Sequence, residues 1–210
     1  MGSDGLAKLR EQRIKARKAR AFRRRMLALA VIVLIVTSLV VLYYFGNRSA
    51  SEPNKPASEP NKVLLRTTMG DITIQLYDDM PITTGNFENL VKRGVYDGTI
   101  FHRVVHDFVI QGGDASVKGI NVATIPDELP NKHSNIRGSV AMAKTDAPNS
   151  ATSQFYINLK DNLNLDSNYS VFGSVIAGMD VVDAIGKVQT DSNEKPLQDV
   201  SVTKAEFISQ

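Results

Sequence analysis

Hydrophobic positions follow two different patterns, and the change falls near residue 61. Residues 26–45, MLALAVIVLIVTSLVVLYYF, run without a charge or a proline, and only Thr37 and Ser38 interrupt them. At 1.5 Å per helical residue such a run spans about 30 Å, the hydrocarbon thickness of a bilayer. The pattern therefore predicts a transmembrane helix over 26–45. A soluble core helix would carry a polar stripe. A cleaved signal peptide would have a shorter apolar run and a small-x-small site. Here the run ends in Tyr43, Tyr44 and Phe45, an aromatic cluster of the interfacial kind, so an uncleaved anchor is the expectation.

From residue 62 the pattern becomes short-range. Lys62–Thr68 and Asp71–Tyr77 alternate and are rich in branched residues, with Met69-Gly70 between them, which predicts a β-hairpin. Pro81 opens a helix to about Lys92 on an apolar face of Phe87, Leu90 and Val91, and Gly94 ends it. Thr99–Val105 and Phe108–Gln111 read as strands, residues 112–137 as mostly irregular, then Gly138–Ala143, Gln154–Leu159 and Ser170–Ile176 as strands. A short helix over Asp180–Ile185 follows Gly178, and Val200–Phe207 is a last strand. Seven or eight short strands and two helices predict a mainly β fold. The economical form is a closed antiparallel barrel capped by the helices, since closure removes free edges; periodicity alone does not separate it from an open sandwich.

Charge changes the reading of the N-terminal part. The chain's formal charge is +3, but residues 1–25 hold ten Lys/Arg against Asp4 and Glu11, so that segment is net +8 and the remainder net −5. The basic isoelectric point belongs to the tail and is poor evidence for a nucleic-acid-binding domain. With the basic cluster before the apolar run, the positive-inside rule predicts a single-pass cell-membrane protein with residues 1–25 cytoplasmic and the main domain extracytoplasmic. The basic segment could also lie along anionic lipid. Residues 46–61, with Pro53, Pro56 and Pro60, read as an extended linker. The expected organisation is a basic segment 1–25, an anchor 26–45, a linker 46–61 and a domain 62–210. Cysteine is absent, so disulfides and thiolate chemistry are excluded. The three histidines, His102, His106 and His133, have no metal-ligand spacing, and neither a metal nor a cofactor is expected.

Residues 101–114, FHRVVHDFVIQGGD, and 138–158, GSVAMAKTDAPNSATSQFYIN, resemble the two signature segments of the cyclophilin family. Leu165-Asp166, VFGSVIAGM at 171–179, and Pro81 with Asn86-Phe87 continue the likeness over essentially all of 62–208. The resemblance implies a cyclophilin-like eight-stranded barrel and a peptidyl-prolyl cis–trans isomerase. Its partners would be proline-containing segments of unfolded or partly folded proteins, and no oligomer is implied. A proline-binding module without turnover is the alternative.

The resemblance also assigns roles. Arg103 would donate to the substrate carbonyl and to the prolyl nitrogen of the twisted amide; taken alone it would be a surface arginine. Alternation would place it on one strand face with Phe101. Phe108 and Gln111 complete the expected catalytic set, with Gln111 bonding to the substrate backbone and helping to orient Arg103. Phe101, Val109, Ala143, Gln154, Tyr156, Leu165 and Tyr169 would contact substrate, although Phe101, like each apolar residue taken singly, also reads as plain core. The family usually has methionine where this chain has Val109, and often phenylalanine at Tyr156, whose hydroxyl then needs a partner. Many members carry tryptophan near Asn164 and histidine at Tyr169, so the rim is altered. His102 is expected to be a hydrogen-bonded structural residue and His106 a turn residue. No paired carboxylates suggest hydrolysis.

Overall fold

The computed structural model describes residues 62–208. Strands β1 (Lys62–Thr67) and β2 (Gly70–Leu76) form the expected hairpin. Thr67 tightens its turn, accepting from the Met69 N–H through Oγ1 and donating to the Gly70 carbonyl. Helix α1 (Pro81–Lys92) follows, then β3 (Phe101–Val105), β4 (Val109–Gly112), β5 (Ser139–Met142), β6 (Phe155–Asn158), β7 (Val171–Ala177), α2 (Met179–Ile185) and β8 (Val202–Ile208). All pairings are antiparallel, in the order β3-β4-β6-β5-β7-β2-β1-β8.

The inner face of this curled sheet carries the main core. Val63, Leu65, Ile72, Ile74, Val140, Ile157 and Phe172 are wholly buried there with Phe87 and Leu90 of α1 and Val182 and Ile185 of α2. An aromatic group anchors it: Phe155 meets Phe87, Tyr96 and Phe101 edge-on at centroid distances of 5.6, 5.5 and 6.2 Å. Each fully buried ring of this size contributes about 2–3 kcal/mol. Gly113 fits beside it because a Cβ there would lie 2.8 Å from the Phe155 ring and because its φ is +78°. Gly178, which precedes α2, has φ +84°, and a Cβ would come within 2.1 Å of the Asp71 carbonyl oxygen. Both sites exclude side chains on space as well as on backbone conformation.

The expected closed barrel is corrected to an open, curled sheet. The outer strands β3 and β8 share no ladder and meet only at the isolated antiparallel bridge Ile100↔Ser201, with three backbone hydrogen bonds around it. The reason is geometric. The bridge sits one residue before the start of each strand, and antiparallel strands that meet at their starts run apart from that point.

The membrane-spanning helix expected at 26–45 is also corrected. Among the described residues no helix is long and apolar enough to cross a membrane, and 26–45 themselves lie outside those residues. The bilayer contact through 26–45, the lipid-facing role of 1–25, and the membrane location and outward orientation built on them have no structural support and are withdrawn. The expected linker 46–61 also lies outside the described residues.

Candidate active site

Strands β4, β5 and β6 are covered on both faces. Ile110, Val140, Met142, Phe155 and Ile157 point into the main core. Their neighbours Val109, Ala141, Ala143 and Tyr156 point the other way and form a second apolar cluster with Val171, against which Phe108, Leu165 and Tyr169 pack. The period of two that builds a strand thus builds a core on one side and a groove on the other. The groove holds a recess of about 150 Å³ lined by Arg103, Phe108, Val109, Gln111, Ala143, Lys144, Tyr156, Leu165 and Tyr169. A wider recess of about 730 Å³ lies at Thr68, Met69, Val188, Leu197 and Val200. It carries no cationic donor, so size alone does not mark the site.

Arg103 reaches the groove by a β-bulge. In the β3–β4 ladder Phe101 pairs with Gly112 and Arg103 with Gln111, so His102 is the extra residue. A bulge of this kind re-aims the side chains that follow it. Phe101 and Val104 consequently face the core, both at most 1% exposed, and Arg103 faces the groove. The expectation that Phe101 shares a face with Arg103 and contacts substrate is corrected: its ring lies in the core against Phe155. The expectation of a hydrogen-bonded His102 fails in part, because its Nδ1 is buried without a partner. Burial holds the His102 pKa below its ordinary value, and the nearby Arg103 charge adds to this. His106 sits after β3, with Nδ1 2.6 Å from the Gly186 carbonyl oxygen.

A chain of polar contacts leads from the recess wall to Gln154. Arg103 Nη1 donates to Gln111 Oε1 at 3.4 Å, and Gln111 Nε2 donates to Gln154 Oε1 at 2.8 Å. The structure therefore brings Arg103, Gln111 and Gln154 together. It adds Glu194, whose carboxylate accepts from Arg103 Nε at 2.6 Å. Lys144, on the wall beside Ala143, is paired with Asp127 at 2.8 Å with both side chains largely buried.

Beneath the apolar wall lies a second polar network. The Tyr156 hydroxyl donates to Asn135 Oδ1 at 2.7 Å, and Asn158 Nδ2 donates to the same oxygen at 3.2 Å. Asn135 in turn donates through its backbone N–H and its side-chain amide to Asp166 Oδ1. Asn162 Nδ2 donates to Asn158 Oδ1. Burial, with the Asp166 carboxylate nearby, pushes the Tyr156 phenol far above its ordinary range, so it stays a neutral donor. Burial alone would raise the Asp166 carboxyl, but the bonds from Asn135 and Ser134 hold it below the usual carboxylate range. Tyr169 meets the Tyr156 ring edge-on at 5.8 Å. Asn164 is exposed and does not line the recess.

Sequence reasoning missed Glu194, Asn135 and Lys144. Glu194 lies 91 residues from Arg103 in a turn-rich stretch, and nothing local marks it. Asn135 could have been sought, because a buried tyrosine hydroxyl demands a partner. Among the described residues no group of three or more His, Asp or Glu could hold a metal ion.

Comparison with known proteins agrees with this geometry. The family model for cyclophilin type peptidyl-prolyl cis-trans isomerases matches residues 62–207. A peptidyl-prolyl cis-trans isomerase of Acinetobacter baylyi is 49% identical over 139 residues, covering 62% of this chain and 74% of that protein. Peptidyl-prolyl cis-trans isomerase A of Dickeya dadantii is 41% identical over 186 residues, covering 84% and 91%. Among solved structures, a cyclophilin type isomerase of Cryptosporidium parvum superposes with a TM-score of 0.67 at 27% identity, covering 72% of this chain and 99% of that one. A second structure of it, determined in the presence of the dipeptide Ala-Pro, gives 0.66 at the same identity, covering 71% and 99%. The chain belongs to the cyclophilin-type peptidyl-prolyl cis-trans isomerase family and is an enzyme of that activity.

Proposed function

We propose that the domain of residues 62–210 isomerises X-Pro bonds in an extended peptide lying along Ala143. Arg103 acts as the hydrogen-bond donor to the twisted amide, and the proline ring sits in the recess walled by Phe108, Val109, Tyr156, Leu165 and Tyr169. The barrier to be lowered is amide resonance, about 18–20 kcal/mol. Twisting the C–N bond frees the nitrogen lone pair, which becomes an acceptor only near the transition state. A fixed donor aimed there stabilises that state more than either ground state, which is the condition for catalysis. No proton need be transferred, and an arginine suits the task because it stays charged. The apolar wall removes water from the ring and strengthens the donor's field. Gln111 and Gln154 supply amide groups for the substrate backbone.

One observation carries this reading. Among the described residues, Arg103 is the one side-chain cation on the recess wall without a buried counter-ion, and it stands against the apolar wall with Gln111 on its Nη1. The test is exchange NMR on a proline-containing peptide with the full chain. Arg103→Ala should lower the isomerisation rate by roughly 10²-fold or more while the protein stays folded. Arg103→Lys should also lose most activity, because a point charge does not replace a planar fork. Equal rates for Arg103→Ala and the parent would sink the mechanism. Unchanged peptide binding with no acceleration in the parent protein would favour a binding module.

A further inference from the structure

The loop between α2 and β8 presents one acidic side chain to the groove, and its construction is specific. Thr190 and Pro196 form an isolated antiparallel bridge. Inside it, Asp191 Oδ1 accepts from the Asn193 and Lys195 backbone N–H groups, and the Glu194 N–H donates to the Asp191 carbonyl. This turn docks on the outer edge of β3, where the Val104 N–H donates to the Glu194 carbonyl at 2.8 Å. The Glu194 carboxylate then meets Arg103 Nε at 2.6 Å, one residue away along the strand.

Two facts argue that the side chain at 194 is there for Arg103. Glu194 has φ +63°, in the left-handed region that glycine, asparagine and aspartate tolerate better. The ion pair is also half exposed, 37% and 45% by side chain, and so adds little to folding. A residue that is locally disfavoured and stabilises little is accounted for by what it orients.

We propose that Glu194 is a positioning residue for the isomerisation. By accepting from Nε it holds one edge of the Arg103 guanidinium. Gln111 holds Nη1, and the Nη2 side is left to face the substrate amide. The inference rests on the reading that Arg103 is the donor to the twisted amide. Glu194 does not touch the peptide. It fixes the plane of a side chain that otherwise has several rotamers, and misplacement of a donor is expensive in rate.

Glu194→Gly is the informative variant, because glycine suits φ +63° and keeps the backbone bond to Val104. In the full chain it should lower kcat roughly 10-fold with KM changed by less than about twofold, since the apolar recess is intact. Glu194→Gln retains an acceptor for Nε and should restore most of the loss. In ¹⁵N spectra the Arg103 Nε–H signal, assigned by its absence in Arg103→Ala, should be protected from solvent exchange in the parent and exposed in Glu194→Gly. Full or increased activity in Glu194→Gly would overturn the proposal, as would a rate loss with the Nε–H protection unchanged. If Arg103→Ala itself keeps full activity, the donor reading fails. If Arg103→Ala is inactive and Glu194→Gly fully active, only the positioning role fails.

Discussion

At the scale of single residues, Tyr156 shows how a groove wall can be apolar in front and polar behind. Its ring faces the recess, and its hydroxyl reaches back to Asn135 in the buried network. Tyr156→Phe removes one buried hydrogen bond but leaves Asn135 Oδ1 still accepting from Asn158. It should cost about 1 kcal/mol of stability and change activity by less than about twofold. Asn135→Ala strands the Tyr156 hydroxyl and removes the side-chain bond to Asp166 Oδ1, which keeps the backbone N–H of residue 135, and should cost more, about 2–3 kcal/mol. Urea unfolding of both variants checks the order, and a costlier Tyr156→Phe would contradict it. The ring and the need for a partner were legible in the sequence. The partner was not, because Asn135 lies in a stretch without periodicity and reaches Tyr156 only through the fold. Arg103 was likewise legible by its motif, whereas its orientation was read from an alternation that the bulge at His102 breaks.

At the scale of elements, α1 lacks a cap of its own. Met80 precedes it without a side-chain acceptor, and Pro81 at the first position has no N–H to satisfy. The two next donors, Ile82 N–H and Thr83 N–H, are taken by the Glu128 carboxylate at 3.1 and 2.7 Å from about 45 residues away. Glu128 is held in turn by its own N–H on Ser170 Oγ. A carboxylate at a helix N-terminus also meets the positive end of the dipole. Glu128→Ala should therefore destabilise the protein by about 1–2 kcal/mol, read as a lower Tm by calorimetry. An unchanged Tm would show that water replaces the cap. Helix and strand positions were readable because punctuating residues bound them: Met69-Gly70, Pro81, Gly94 and Gly178. The remote cap was not, since it belongs to tertiary structure.

At the scale of the whole molecule, several carboxylates tie distant parts of the domain together. Asp97 accepts from Lys204 Nζ at 2.8 Å and from the Ala205 N–H at 2.9 Å, joining the segment before β3 to β8. Burial would raise its carboxyl, but these bonds hold it below the usual range. The Arg137 fork lowers Asp183, and the Asn135 bonds lower Asp166 despite its burial. A carboxyl whose folded pKa lies below its unfolded one stabilises the fold above the unfolded value, near 4. That contribution is lost as pH falls through the folded value. Urea midpoints should stay level from neutral pH to about 4 and then drop. Asp97→Asn should start lower at neutral pH and fall less steeply below about 4; an identical acid limb would refute the assignment. Closure of the sheet was not legible, because strand order and the seam at Ile100 and Ser201 depend on contacts a hundred residues apart.

The extra residue in β3 makes the site depend on a count as well as on chemistry. If the same residues ran from Phe101 in strict alternation, with no bulge, the guanidinium would turn toward the core that Phe155 fills and Val104 toward the groove; with His102 also removed, alternation alone would return the guanidinium to the groove. Whether a related strand carries this arginine into a groove is therefore a matter of parity: an even interval from Phe101 to Val104 would need no bulge, and the present interval of three needs the one at His102.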